Sequence, residues 1–226
     1  MIVALFDSDG TLYSNQFGRG MMKYANTHDR KLPSALYYAS LIPEVLLNKV
    51  KLGNPERFQR ARIERMLWLI KGYSLQEATD AFAWVIDEYL MAGRRTNVIE
   101  RVQKHQVQEH KVVIVSGMFA PALEVLCKRL GVKHFIGTQL EVRGNRYTGQ
   151  IIPPVIKGKD KAEKTHAYLA SKGWKVYWKD SYAYGDSFTD RDMLELVGHA
   201  VAVYPDKKLN QLAQECGWEV LGTQKE

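Results

Sequence analysis

The run Ile2-Val3-Ala4-Leu5-Phe6 stops on Asp7-Ser8-Asp9-Gly10-Thr11, and few folds accommodate that junction. A short apolar run rich in β-formers reads as a strand buried on both faces, the kind found in parallel sheets. The glycine and threonine that follow mark its end. Asp7 and Asp9 lie two residues apart, so along a strand they share a face at a separation of about 7 Å. At an effective dielectric near 20, two ionised carboxylates at that distance repel by about 2.4 kcal/mol. A cation, a proton or exposure to water must offset the repulsion. A calcium loop is excluded, because its glycine and glutamate positions hold Leu12 and Gly18.

The remaining pattern places this strand in a larger sheet. Residues 15–95 lack strand alternation but carry apolar residues at helical spacing, with Gly53-Asn54-Pro55 and Gly72-Tyr73-Ser74 dividing them into about four helices. Ser74-Leu75-Gln76-Glu77 has the form of a capping box. From residue 96 onward, helical patterns over 97–109, 119–130 and 161–172 alternate with apolar runs at 111–115, 134–137, 182–184 and 200–204. Polar–apolar alternation over Gln139–Gly149 predicts a hairpin turning at Gly144-Asn145. The expected fold is α/β: a doubly wound, Rossmann-like parallel-sheet core of residues 1–14 and 96–226, with a helical cap of residues 15–95 inserted after the first strand.

Composition narrows the function classes. The chain of 226 residues is 46% hydrophobic and 25% charged, as a folded soluble protein should be. Its net charge of +7 is uneven, for residues 15–95 carry 13 Lys and Arg against 8 Asp and Glu. In Glu56–Arg65 the basic residues alternate with acids at helical spacing, which reads as a solvated face, and no aromatic–basic interleaving or helix–turn–helix points to nucleic acid. Cys127 and Cys216 are read as idle thiols in a reducing compartment. The apolar segment Leu32–Leu47 falls short of the roughly 20 residues a membrane span needs, and the aspartates interrupt any secretory apolar stretch. A cytoplasmic location without a membrane span is expected.

In open α/β sheets the working residues gather beyond the carboxyl ends of the strands. Here those ends carry Asp7 and Asp9; Ser116-Gly117, whose hydroxyl and backbone N–H groups suit a phosphoryl oxygen; and Gly185-Asp186-Ser187 with Asp190. A further helix starts near Lys161. Carboxylate oxygens without His or Cys favour magnesium over zinc, and Mg2+ is the cation that the paired aspartates require.

The motifs DSDGT, VSG, a lysine in GKDKAEK, and GDSFTDRDML, in that order at strand ends, resemble the haloacid dehalogenase superfamily, in its phosphoserine-phosphatase-like branch, subfamily IB. The resemblance runs through nearly the whole chain and identifies the insertion with the family's cap. It implies that Asp7 is the nucleophile, forming an aspartyl-phosphate, and that Asp9 is the acid and then the base. It further implies that Ser116 and Gly117 bind phosphoryl oxygens, that Lys161 (preferred over Lys157, Lys159 and Lys164 from its GxxK register) offsets negative charge, and that Thr11 orients Asp9. Asp7, the Asp9 carbonyl, Asp186 and Asp190 are the implied metal ligands. The reaction implied is magnesium-dependent hydrolysis of a small phosphomonoester. Phosphoserine phosphatases carry an acid soon after the nucleophile motif to meet the substrate's ammonium, whereas residues 12–28 contain no Asp or Glu and hold Arg19 in that neighbourhood. A positive residue there suits a second anionic group. Phosphoserine phosphatase proper and a catalytically silent phosphate-binding module are the alternatives. Leu36, Tyr37, Tyr38, Leu41, Leu46 and Leu47 are read as the cap's own core, and the apolar, basic cap is also compatible with a lipid-like phosphomonoester.

Overall fold

The computed structural model describes residues 1–28, 31–49 and 55–223. Strand β1 (Val3–Phe6) lies at the centre of a seven-stranded sheet with β2 (Lys111–Phe119), β3 (His134–Arg143), β4 (Arg146–Ile152), β5 (Tyr182–Gly185), β6 (His199–Val203) and β7 (Glu219–Leu221), in the order β4-β3-β2-β1-β5-β6-β7. All neighbours pair parallel except β3 and β4. Phe6 pairs with both Ile114 and Tyr184. The sequence after β1 therefore feeds first one half of the sheet and then the other, which leaves a switch point at the carboxyl end of β1.

The period of two along β1 divides two cores. Ala4 and Phe6 join one apolar cluster, while Val3 and Leu5 join the other. The first is covered by α5 (Thr96–Val107) and α6 (Ala120–Leu130) through Val98, Val102, Leu123 and Leu126; the second by α7 (Lys159–Ser171), α8 (Arg191–Leu194) and α9 (Lys207–Cys216) through Leu169, Met193, Leu209 and Ala213. This is the doubly wound core expected from the alternation of elements.

Between β1 and α5 lie α1 (Phe17–Thr27), α2 (Lys31–Lys49), α3 (Pro55–Met66), a short 3-10 turn at Leu67–Leu69 and α4 (Leu75–Trp84), which runs on into a π-helical turn at Val85–Leu90. The Ser74 capping box forms with both reciprocal bonds, Glu77 N–H donating to Ser74 Oγ at 3.2 Å and Ser74 N–H to Glu77 Oε2 at 2.7 Å. At the break expected around Gly53-Asn54-Pro55, residues 53 and 54 lie outside the described residues, and Pro55 opens α3. Phe17 meets Phe119 edge-on, with ring centroids 5.6 Å apart, so cap and core share one apolar cluster. The hairpin props the same insertion: Tyr147 N–H donates to Tyr73 O at 2.9 Å, and Gly72 N–H donates to Tyr147 O at 2.8 Å. Its turn is Gly144-Asn145 with φ of 54° and 63°, the left-handed pair that a two-residue hairpin needs.

α2 is continuous through Pro33 and Pro43. One expectation for the insertion is corrected. Tyr37 and Leu41 are buried as cap core, but Leu36, Tyr38, Leu46 and Leu47 are exposed; helical spacing fixes which residues share a face without saying whether anything covers it. Among the described residues, no helix is long and apolar enough to cross a membrane.

Candidate active site

The carboxylates of the site stand where strands stop. β1 delivers Asp7, buried beneath the cap, and the turn that follows returns through Leu12 N–H donating to Ser8 O at 2.9 Å. β5 delivers Gly185 and Asp186, and the short turn after it presents Asp190. Asp7, Asp186 and Asp190 bring carboxylate oxygens within 4.8 Å of one another. Lys161, in the first turn of α7, reaches into the cluster. Its Nζ donates to Asp7 Oδ1 and to Asp190 Oδ1, each at 2.6 Å. Lys159 lies in an exposed contact with Glu163 instead, and Lys157 lines the cavity over the cluster, so the GxxK register selects the lysine that reaches the carboxylates.

Asp190 holds the turn as well as the ammonium. Its Oδ2 accepts from Asp186 N–H at 3.2 Å and from Ser187 N–H at 3.1 Å. Gly10, at φ 90°, packs directly against the Asp186 carboxylate, where a Cβ would collide with it. Thr11 departs from its expected role. It is buried and directs its Oγ1 to Asp7 Oδ2 at 3.3 Å and Asp186 Oδ1 at 3.4 Å, not to Asp9. Asp9 is oriented by the cap: Phe17 N–H, one of the unpaired donors that open α1, lies 3.1 Å from both of its oxygens. The Asp9 carboxylate thus stands outside the three-acid cluster.

The electrostatics follow from burying several acids around one ammonium. Burial pushes Asp7 up to about 6, with Lys161 opposing the rise. Burial, reinforced by the charge of Asp7, raises Asp9 to about 7. Burial together with Asp7 and Asp190 raises Asp186 to about 9. Burial alone would lower the Lys161 ammonium, but Asp190 and Asp7 outweigh it and raise its pKa. The cluster is therefore short of positive charge. Its donors are all hard oxygens, a set that fits a divalent ion such as magnesium.

A cavity of about 260 Å3 opens over this cluster. Ser116 and Gly117 line it from β2, with Ser116 Oγ accepting from Met118 N–H at 3.2 Å and its own O–H left to donate. Phe17, Ile63, Met66 and Arg62 roof it from the cap. Arg62 was not foreseen as a site residue, because its helix reads as a solvated charged face. Arg19 is exposed and does not line this cavity; it faces a neighbouring concavity that shares Gly18 and Arg62 with it. A second cap residue, Arg60, pairs with Asp160, next to Lys161, at 2.7 Å.

A family model described as haloacid dehalogenase-like hydrolase matches residues 4–195. The chain belongs to that family. Over 221 residues this hydrolase is 28% identical to a phosphoserine phosphatase of Mycobacterium tuberculosis, covering 96% of this chain and 69% of that one. It is 31% identical over 151 residues to a histidinol-phosphatase of Neisseria meningitidis, covering 66% and 68% of the two chains. A solved protein of unknown function from Bordetella pertussis Tohama I superposes with a TM-score of 0.81 at 23% identity, covering 97% of each chain. With these relatives the hydrolase is a phosphatase of the phosphoserine-phosphatase-like kind.

Proposed function

We propose that the protein hydrolyses a small phosphomonoester in two steps through an aspartyl-phosphate on Asp7, with magnesium bound. The observation that carries this reading is the meeting, under one cavity, of Asp7, Asp186, Asp190 and Lys161, which come from separate strand ends and a helix start. Asp7, Asp186, Asp190 and the Asp9 carbonyl would hold the ion, which supplies charge neutralisation at the phosphoryl group. Asp7 attacks phosphorus as the ester P–O bond breaks, and Asp9 gives its proton to the departing oxygen. Burial raises the pKa of Asp9, the direction that favours its protonated form. Asp9, now anionic, then takes a proton from water as that water's oxygen attacks the phosphorus on Asp7. Inorganic phosphate leaves and both carboxyls return to their starting states. Ser116 and the Gly117 amide bind phosphoryl oxygens, and Lys161 holds the nucleophile in place.

Residues 15–95 act as the cap that closes over this chemistry. Among the described residues that line the cavity, the cap contributes one charged side chain, Arg62, and no carboxylate. That supports a substrate with a second anionic group, held by Arg62, better than one recognised through an amine. The free thiols of Cys127 and Cys216 fit a cytoplasmic setting. The test is a phosphatase screen with and without magnesium over phosphoserine, histidinol phosphate, sugar phosphates, nucleotides and lysophosphatidate. Magnesium-dependent release of phosphate, fastest from substrates with a second anion, is expected. Absence of turnover on every compound would overturn the function, and preference for histidinol phosphate would overturn the substrate class.

A further inference from the structure

The catalytic cavity holds a cation that the chemistry on Asp7 does not use. Lys157, in the loop that leads into α7, lines the cavity with Lys161, and its side chain makes no hydrogen bond or ion pair among the described residues. The loop fixes it there. Ile156 is buried, with its N–H donating to Thr138 Oγ1 at 3.3 Å, and Lys157 O accepts from Asp160 N–H at 3.2 Å. From the cap, Arg62 lines the same cavity without a carboxylate partner among the described residues; its ring contact is Phe58, with the centroid 5.9 Å away. Arg60, two residues earlier on α3, pairs with Asp160 at 2.7 Å. Where α3 meets the start of α7 there is therefore one complementary pair, Arg60 with Asp160, and two further cations, Arg62 and Lys157, with no acid of their own.

Like charges gathered in a half-buried place call for a counter-charge. Burial, then the charges of Lys161 and Arg62, hold the Lys157 ammonium below the ordinary lysine range, while Asp190 and Asp7 oppose them. Those two acids are already engaged: each gives its Oδ1 to Lys161, and Asp190 Oδ2 accepts from the N–H groups of Asp186 and Ser187. Of the three cations lining the cavity, Lys161, Lys157 and Arg62, only the first has carboxylate partners among the described residues. We propose that Lys157 and Arg62 form a two-cation subsite, one side on the core and one on the cap, for an oxyanion carried by the substrate's leaving group. The inference rests on the phosphomonoester reading above and adds Lys157 as a residue that sets specificity. An anion held by both cations ties cap to core over the bound phosphoryl group, whereas a neutral or amine-bearing leaving group leaves both uncompensated.

Calorimetric titration with phosphonates, which bind without being hydrolysed, tests this apart from turnover. The probes, in excess magnesium, are propylphosphonate, which has no second anion, phosphonopropanoate, which adds a planar carboxylate, and sulfoethylphosphonate, which adds a tetrahedral sulfonate. The wild-type protein binds at least one of the two charged probes about tenfold or more tightly than propylphosphonate, as one charged hydrogen bond provides, and the tighter of the two identifies the shape of the anion. Lys157→Met removes most of that preference and leaves propylphosphonate binding unchanged; Lys157→Arg keeps it; Lys157→Met/Arg62→Ala binds all three probes alike. Because Lys157 has no protein partner to lose, Lys157→Met unfolds at the wild-type temperature or above it in the absence of ligand. Equal or absent binding of the three probes by the wild type would overturn the inference. So would a Lys157→Met variant that weakens all three equally, which would put the ammonium on the phosphoryl group, or one that unfolds at a lower temperature, which would make the lysine a structural residue. Failure of the phosphatase reading itself shows elsewhere, as absence of magnesium-dependent phosphate release from every phosphomonoester.

Discussion

Replacing Lys161 with methionine removes the one ammonium that, among the described residues, touches the acid cluster while keeping the volume of the side chain. In the parent protein its Nζ lies 2.6 Å from both Asp7 and Asp190. At an effective dielectric near 20 each such contact is worth about 6 kcal/mol of attraction before desolvation is counted. The variant no longer has to desolvate an ammonium, and its acids can take up protons, so much of that attraction is offset. What remains is the cost of a buried charge that has lost its partner, about 3–5 kcal/mol. For a chain of this size that lowers Tm by roughly 6–20 °C. The assay is calorimetric or urea unfolding in chelator, followed by the same measurement with excess magnesium. A divalent cation can supply the missing positive charge, so magnesium should raise the Tm of Lys161→Met by more than it raises that of the wild-type protein. A destabilisation below about 1 kcal/mol, or a smaller magnesium response in the variant, would refute the view that the carboxylates are held together by this ammonium and lack a cation.

Other consequences can be measured separately. Arg62→Ala should raise KM about tenfold or more for a substrate with a second anionic group, as expected for losing one charged hydrogen bond, with little change in kcat; equal effects on substrates lacking that group would contradict its role. Gly10→Ala forces a Cβ into the Asp186 carboxylate at a left-handed φ, so it should weaken magnesium-dependent turnover far more than any surface Gly→Ala change, and parental activity would show that Asp186 can move freely. His105 is buried by α5 against β5, donating or accepting at Tyr184 Oη (2.9 Å) and His110 Nδ1 (2.8 Å). Burial, then the neighbouring His110, holds it down at about 4, below the ordinary 6.5. Because the unfolded chain takes up this proton first as pH falls, the contribution is present above about pH 6.5 and is lost on the way down to 4. It amounts to about 3 kcal/mol at 1.36 kcal/mol per pKa unit. The stability gap between wild type and His105→Gln should narrow by that amount between pH 7 and pH 4 in urea titrations, and a constant gap would show that His105 keeps its ordinary pKa.

The parts of this molecule that the sequence disclosed are those governed by local rules. Short continuous apolar runs marked the parallel strands, polar–apolar alternation marked the hairpin and Gly144-Asn145 its turn, and each motif acid lay at a strand end because that is where an α/β sheet exposes polar groups. What stayed hidden depended on packing between distant segments. Arg62 belongs to a helix whose alternating charges read as a solvated face, and only the placement of α3 over the sheet brings it to the cavity. The hydrogen bond that orients Asp9 comes from the backbone of Phe17, which leaves no mark on residue identity, whereas the family resemblance implies Thr11 for that task. Leu36 and Leu46 sit at core-like spacing on α2 yet are exposed, and amphipathic pattern alone does not say which apolar residues are covered.

The central claim is that a phosphoryl group resides on Asp7 during turnover. Rapid acid quenching during steady-state hydrolysis, borohydride reduction of any acyl phosphate and peptide mass spectrometry test it directly. A reduced residue at position 7 that requires both substrate and magnesium is expected, and none in Asp7→Asn. Turnover with position 7 unmodified, or a phosphoryl group captured on another side chain, would contradict it.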